Sequence, residues 1–135
     1  ANPTALVLAN STFQAVTSVG YPEGRILLSE CVIYLATSPK SNSAYKAINE
    51  AQEKVRKTGN LPIPLHLRNA PTKLMKELGY GEDYKYAHDY ANHFIEQEFL
   101  PEEIKGTTLY QPGDNQKEKS IRDFLKSRWN KKYGY

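Results

Sequence analysis

Pro64-Leu65-His66-Leu67-Arg68-Asn69-Ala70-Pro71-Thr72-Lys73-Leu74-Met75-Lys76-Glu77-Leu78-Gly79-Tyr80-Gly81 is the stretch on which the reading of this chain turns. Its two prolines bracket an extended segment, because a residue before proline is pushed out of the α region. Thr72 to Leu78 then has the composition of a short helix, and Gly79 stands where a helix stops. Leu74, with Leu78 or Met75, is expected to anchor that helix on a core. Arg68 and Asn69 lie in the rigid part, and Lys73 and Lys76 follow on the helix. A charged, non-repetitive connector of this kind holds a fixed geometry and does not act as a spacer.

Helical patterns flank it. Asn2 and Pro3 form a helix start. From there to Val19, Leu6, Ala9, Phe13 and Val16 make one stripe, widened by Val7 and Leu8. Gly20, Pro22 and Gly24 make a turn. A second helix is predicted from Arg25 to Thr37, apolar on more than one side through Leu28, Cys31, Val32, Leu35, Ile33 and Tyr34. A third starts near Ser41 or Asn42 and reaches Lys57 or Thr58, with Ala44, Ile48, Ala51 and Val55 inward. Glu50 with Lys54 and Glu53 with Lys57 are favourable i,i+4 pairs. The three are expected to pack as an antiparallel core. Tyr84 to Phe99 predicts turns and a short helix. Pro101 to Gly106 predicts another helical turn, and Gln116 to Trp129 a last helix carrying Ile121, Phe124, Leu125 and Trp129. The organisation is one all-α domain over 1–135, with a helical core at 2–58, a loop-rich segment with short helices at 59–114, and a basic C-terminal helix at 115–135.

A chain of 135 residues buries roughly two thirds of its unfolded surface, enough for one core. No apolar run approaches a membrane span, and no signal-peptide pattern is present. The single cysteine, Cys31, has no internal partner, which suits a reducing cytoplasm. Starting at Ala1 without methionine, directly in a helix-start signal, the chain is expected to be a fragment of a longer protein. The net charge of +3 conceals blocks: residues 40–76 carry +6, residues 77–104 carry −7 and residues 115–135 carry +5. Such blocks suggest complementary surfaces within or between subunits, or simply an unevenly solvated surface.

No catalytic, cofactor-binding or metal site is predicted. Neither Gly20 to Gly24 nor Gly79-Tyr80-Gly81 leads into the Gly-Lys-Ser/Thr of a phosphate-binding loop. His88 and His93 are five apart, off the i,i+4 face that zinc helices use, so they read as structural. Cys31 reads as a small hydrophobe, and Glu96, Glu98, Glu102 and Glu103 as a solvated acidic face. Tyr80, Tyr84, Tyr86 and Tyr90 fall in the acidic block, which favours packing or an interface over nucleic acid. Arg68, Asn69, Lys73 and Lys76, together with Arg122, Lys126 and Arg128 of the last helix, are the candidates for contact with DNA or with a neighbouring domain. Their bland alternative is hydrogen bonding to loop carbonyls and a solvated helix face.

The central stretch, followed by Tyr84-Lys85-Tyr86-Ala87-His88-Asp89-Tyr90, resembles the C-terminal domain of the replication-associated recombination ATPases known as RarA or MgsA. Further matches come in order: Gly20-Tyr21-Pro22-Glu23-Gly24-Arg25, Val32 to Asn42, and Phe99 to Gly106. The resemblance covers residues 2 to 125. It implies a helical domain of the kind that follows a AAA+ core, related to Werner-helicase-interacting protein. It implies an oligomerisation and scaffolding role, with tetramers. The parent would act in the cytoplasm, near the nucleoid, at stalled forks, with single-stranded DNA-binding protein and fork DNA as partners. ATP and Mg would belong to an ATPase core N-terminal to this region. The alternative role is a DNA-binding module that docks forks or DNA ends through the basic surfaces.

Overall fold

The computed structural model describes residues 1–135 and contains five α-helices, four short 3-10 turns and no strand. The helices are α1 (Pro3–Val19), α2 (Gly24–Thr37), α3 (Ser43–Thr58), α4 (Lys73–Glu77) and α5 (Gln116–Tyr133). The domain is all-α, as the periodicity predicts. The chain forms two compact units, one of residues 1–46 with 110–122 and one of residues 47–109 with 123–135.

The first unit is organised by the α1–α2 hairpin. The half-buried side of α1 carries Ala5, Leu8, Ala9, Thr12, Ala15 and Val16, whose small side chains let helix axes approach closely. Gly24 completes the contact, since a Cβ there would lie only 3.3 Å from Val16 Cγ1. On α2 the covered positions are Gly24, Leu27, Cys31 and Tyr34, at helical spacing. The predicted α1 stripe is therefore rotated: Ala9 and Val16 lie inward, while Leu6 and Phe13 point to solvent at 77% and 73% exposure. Asn2 sits at the N-cap of α1 in extended conformation, yet its side chain makes no cap bond. Its amide instead donates to Tyr34 Oη (2.9 Å) and Ser38 Oγ (3.1 Å), and its carbonyl accepts from Lys117 Nζ (2.8 Å).

Of the expected antiparallel core, the α1–α2 part forms within the first unit, while α3 begins in that unit and continues in the second. α1 and α2 pack on each other, and of the predicted α3 stripe Ala44, Ile48 and Val55 are exposed while Ala51 is half-buried. A strongly amphipathic helix with its apolar side uncovered has the pattern of a packed helix without the partner.

In the second unit the central stretch follows the predicted path. Leu65–Leu67 is a 3-10 turn, the chain extends to Thr72, and α4 follows. Thr72 Oγ1 accepts from Met75 N at 3.3 Å, an N-cap. The C-terminus closes by Tyr80 N to Met75 O and Gly79 N to Lys76 O, both 3.0 Å, the paired bonds of a Schellman end. Gly81 (φ +72°) donates to Leu65 O at 2.9 Å, and a Cβ there would meet Arg68 O at 3.3 Å. Only glycine lets the two ends of the motif meet.

The anchor of α4 differs from expectation. Leu74 is 64% exposed and Leu78 is exposed too, whereas Met75 is half-buried. Leu74→Ala should accordingly cost under about 0.5 kcal/mol, and Met75→Ala about 1–2 kcal/mol. Urea unfolding midpoints of the two variants test the order; a larger loss from Leu74→Ala would show that α4 packs through the other side.

Candidate interaction surface

α1 is made entirely of uncharged residues, and the first charged side chain of the sequence is Glu23. Its Ser and Thr hydroxyls near the C-terminus are turned back on the helix: Thr17 Oγ1 donates to Phe13 O at 2.8 Å and Ser18 Oγ to Gln14 O at 3.0 Å. Leu6 and Phe13, seven residues apart, share one exposed side. On α2, Leu28, Val32 and Leu35 follow at i, i+4 and i+7 and are also exposed. Ile26 and Ile33 form another exposed pair, lining a groove of about 620 Å³ with Arg25, Ser29 and Glu30. Solvated helices normally carry charge on the outward side; here α1 carries none and α2 carries only Arg25 and Glu30. Exposed apolar residues grouped along helices in this way are candidates for contact with another macromolecule.

The predicted charged candidates fare unequally. Arg68 is engaged inside its own motif: Nε donates to Ile63 O (2.7 Å), Nη1 to Tyr80 Oη (3.1 Å), and the guanidinium lies 4.9 Å from the Tyr80 ring centroid. It clamps the connector, as the bland alternative holds. Asn69 and Lys76 are exposed, and Lys73, almost fully exposed, sits 3.9 Å from Glu77. The structure brings these onto one connector but builds no cleft of cations from them.

On α5 most cations have work within the chain. Lys117 holds Asn2, and Arg122 donates to the carbonyls of Pro112 and Gly113 and lies 3.6 Å from Asp114. Arg128 lies over the rings of Phe124 (4.5 Å) and Phe94 (5.4 Å). Lys132 is nearly buried, 3.2 Å from Glu98 Oε1, and donates to Gln97 O at 2.6 Å. Lys126 is exposed. Of the acidic residues read as a solvated face, Glu98 departs. Its Oε1 accepts from the N–H groups of Phe99 and Leu100, both 2.9 Å, and its carbonyl accepts from His66 Nε2 at 2.8 Å. Burial pushes its carboxyl up, but the Leu100 and Phe99 N–H groups and the Lys132 ammonium together hold it below the usual range.

Two features escape the sequence reading. Glu118 is a carboxylate at 2% exposure. Tyr110 Oη donates to its Oε1 at 3.1 Å and Asn115 Nδ2 to its Oε2, while Asn115 Oδ1 accepts from Glu118 N at 3.1 Å. Burial pushes its pKa up, but the hydroxyls of Ser41 and Ser43, the Asn115 amide and the Gly113 N–H outweigh that and lower it to about 2. The Asn115-x-x-Glu118 spacing of a capping pair is the available signal. The other is an aromatic cluster around Trp129, with Phe94 edge-on at 4.8 Å, Tyr133 at 5.6 Å and Phe99 at 6.2 Å. Neither is a reactive site: Glu118's acceptors are saturated by neutral donors, and the cluster encloses a paired lysine. Three of the tyrosine-block residues, Tyr84, Tyr86 and Tyr90, are exposed, and the His88 and His93 rings lie 5.1 Å apart, tilted at 50°. No group of three or more His, Cys, Asp or Glu is placed to hold a metal ion. No helix is long and apolar enough to cross a membrane.

Comparison with known proteins gives these surfaces a context. The family model described as MgsA AAA+ ATPase C terminal matches residues 1–129. Replication-associated recombination protein A of Coxiella burnetii is 44% identical over 126 residues, 93% of this chain and 29% of that protein. The protein of the same name from Escherichia coli K12 is 42% identical over 126 residues, 93% of this chain and 28% of that protein. ATPase WRNIP1 of Dictyostelium discoideum is 42% identical over 112 residues, 82% of this chain and 13% of that protein. The chain thus spans less than a third of the length of these relatives. The resemblance in the central stretch and its flanking motifs is a family relationship, and the chain belongs to the MgsA AAA+ ATPase C-terminal family.

Proposed function

We propose that this domain is the self-assembly and scaffolding segment of a AAA+ ATPase that acts in replication-fork maintenance and recombination. One observation carries the reading: a 17-residue helix without a charge exposes Leu6 and Phe13 to solvent. Such a surface is stabilised by being covered, at roughly 25 cal/mol per Å² of apolar area. In this reading the domain itself carries no ATP chemistry; ATP and Mg act in a separate ATPase core of the parent. Four copies, the number the family resemblance implies, would hold four such cores together in the cytoplasm. Fork DNA and single-stranded DNA-binding protein would be engaged by the assembled parent.

The DNA-docking alternative draws less support, because Lys117, Arg122, Arg128 and Lys132 already serve contacts inside the chain. The two readings separate by salt. Contacts to phosphate weaken steeply as salt rises, whereas buried apolar area is little screened. Light scattering across concentration should give a multiple of 15.3 kDa that persists at high salt, with DNA affinity that collapses. A monomeric mass at every concentration would overturn the scaffold reading. Tight, salt-resistant DNA binding by such a monomer would establish its rival.

A further inference from the structure

We infer that the groove between Asn69 of the central connector and Tyr84 is a docking site for an extended peptide segment that carries a lysine or an arginine. The inference stands apart from the self-assembly reading, because it concerns the second unit alone and needs no second copy.

The groove, of about 310 Å³, is lined by residues 66–70 of the connector together with Gly81 and Tyr84. Gly81 N donates to Leu65 O at 2.9 Å and Tyr84 N to Gly81 O at 3.2 Å, so the motif itself holds the two walls in place. After Leu67 the connector runs extended, with Arg68 at φ −85° and ψ 137°. The main-chain N–H and C=O groups of Asn69 and Ala70 make no hydrogen bond within the chain, and neither does the exposed Asn69 side-chain amide. Uncommitted main-chain groups on an extended segment can pair with the main chain of an extended peptide, the contact that gives strand-adding partners their affinity. The asparagine amide offers one donor group and one acceptor to the same main chain.

Charge decides the chemistry of that peptide. Glu82 and Asp83 are the middle residues of the turn between Gly81 and Tyr84; both are exposed and neither forms an ion pair. Tyr84 is exposed and its hydroxyl makes no hydrogen bond. Arg68 lines the groove too, but its guanidinium is engaged by Ile63 O and by the hydroxyl and ring of Tyr80. From residue 82 to residue 90, Lys85 stands alone against Glu82, Asp83 and Asp89. An open tyrosine ring beside free carboxylates attracts an ammonium or guanidinium over its face. The same carboxylates repel a phosphate backbone, which needs cations. The groove thus offers main-chain pairing along Asn69 and Ala70 and a cation pocket at Tyr84.

The probe is a library of random dodecapeptides displayed on phage and selected on the full chain, with fluorescence anisotropy of the enriched peptides to measure affinity. Enriched peptides should carry Lys or Arg, and replacing that residue by Glu should weaken binding by about tenfold or more. Asn69→Ala, Tyr84→Ala and Glu82→Gln/Asp83→Asn should each weaken it by a similar factor, while Tyr84→Phe and Lys126→Ala should leave it unchanged. All these positions are exposed, asparagine tolerates the φ of +60° at position 83, and circular dichroism checks that each variant folds. Failure to enrich any peptide, enrichment of peptides without a cation, or an affinity indifferent to both Tyr84→Ala and Glu82→Gln/Asp83→Asn overturns the assignment. Competition by oligothymidylate would give the groove to single-stranded nucleic acid. A change of mass in light scattering on Glu82→Gln/Asp83→Asn, with peptide affinity unmoved, would give it to a second copy; either result also overturns the peptide.

Discussion

Acidification from pH 6 to pH 3 is expected to remove about 2 kcal/mol of stability through Glu118 alone. The carboxylate is buried and accepts hydrogen bonds from Tyr110 and Asn115, with Ser41, Ser43 and Gly113 close enough to lower its pKa to about 2. A carboxyl whose folded pKa lies below the unfolded value of 4.5 stabilises the fold above that value. The stabilisation is lost as pH falls from about 4.5 toward 2, each pH step of one across that window removing about 1.4 kcal/mol. Because the donors are neutral, added salt should change the effect little. Glu118→Gln should cost a similar amount at pH 6. Its amide presents N–H groups to donors that need an acceptor, and leaving a buried donor unmet costs about 1–3 kcal/mol. The variant should then show a flatter acid limb than the wild type. Urea midpoints of both proteins at pH 6 and pH 3 measure this. Parallel acid limbs would mean that other carboxylates, not Glu118, set the acid stability.

Glu118 also shows where sequence reasoning stops. Charge and period identify the last helix and its start at Gln116, which the structure repeats. A glutamate at the third position of a helix is common, so nothing in the composition separates a solvated one from a buried one. The difference comes from Tyr110, a short way upstream, and from Ser41 and Ser43, which the fold brings to it from distant sequence. The α1 stripe fails for a related reason. Period 3.6 marks the apolar residues of a helix but does not say whether they meet the chain's own helices or a partner. In α1 the small Ala5, Ala9 and Ala15 lie on the covered side, and the large Leu6 and Phe13 are left out. The same ambiguity misplaces α3, whose Ile48 and Val55 read as core and are uncovered. The central stretch is legible because proline, glycine and threonine act locally: Pro64 and Pro71 extend the chain, Thr72 caps α4 and Gly79 ends it. Arg68 is legible only as a cation. Its clamp on Tyr80 and Ile63 depends on a closure that Gly81 permits.

Trp129→Ala should lower stability by about 3 kcal/mol, near the lower end for loss of a packed aromatic. Trp129 lies on α5 and receives Phe94 edge-on at 4.8 Å with an interplanar angle of 87°. Phe99 and Tyr133 complete the cluster, and edge-on aromatic pairs add about 0.5–1.5 kcal/mol beyond their buried area. The same rings surround the Lys132 ammonium, 5.4 Å from the Trp129 ring and 5.1 Å from that of Tyr133. Removing the indole therefore does two things. It opens space beside Phe94 and exposes the Lys132–Glu98 pair to water, weakening a contact that holds the 97–100 segment to α5. Trp129→Phe should recover much of the loss, because a smaller ring can still accept the Phe94 edge. Phe124→Ala is the reference, since Phe124 is 55% exposed and touches the cluster only through Arg128. Urea unfolding followed by circular dichroism suits all three variants, because Trp129 is the single tryptophan and its fluorescence disappears with it. If Trp129→Ala costs no more than Phe124→Ala, the aromatic cluster does not hold the second unit together, and the Glu98–Lys132 pair must do so without it.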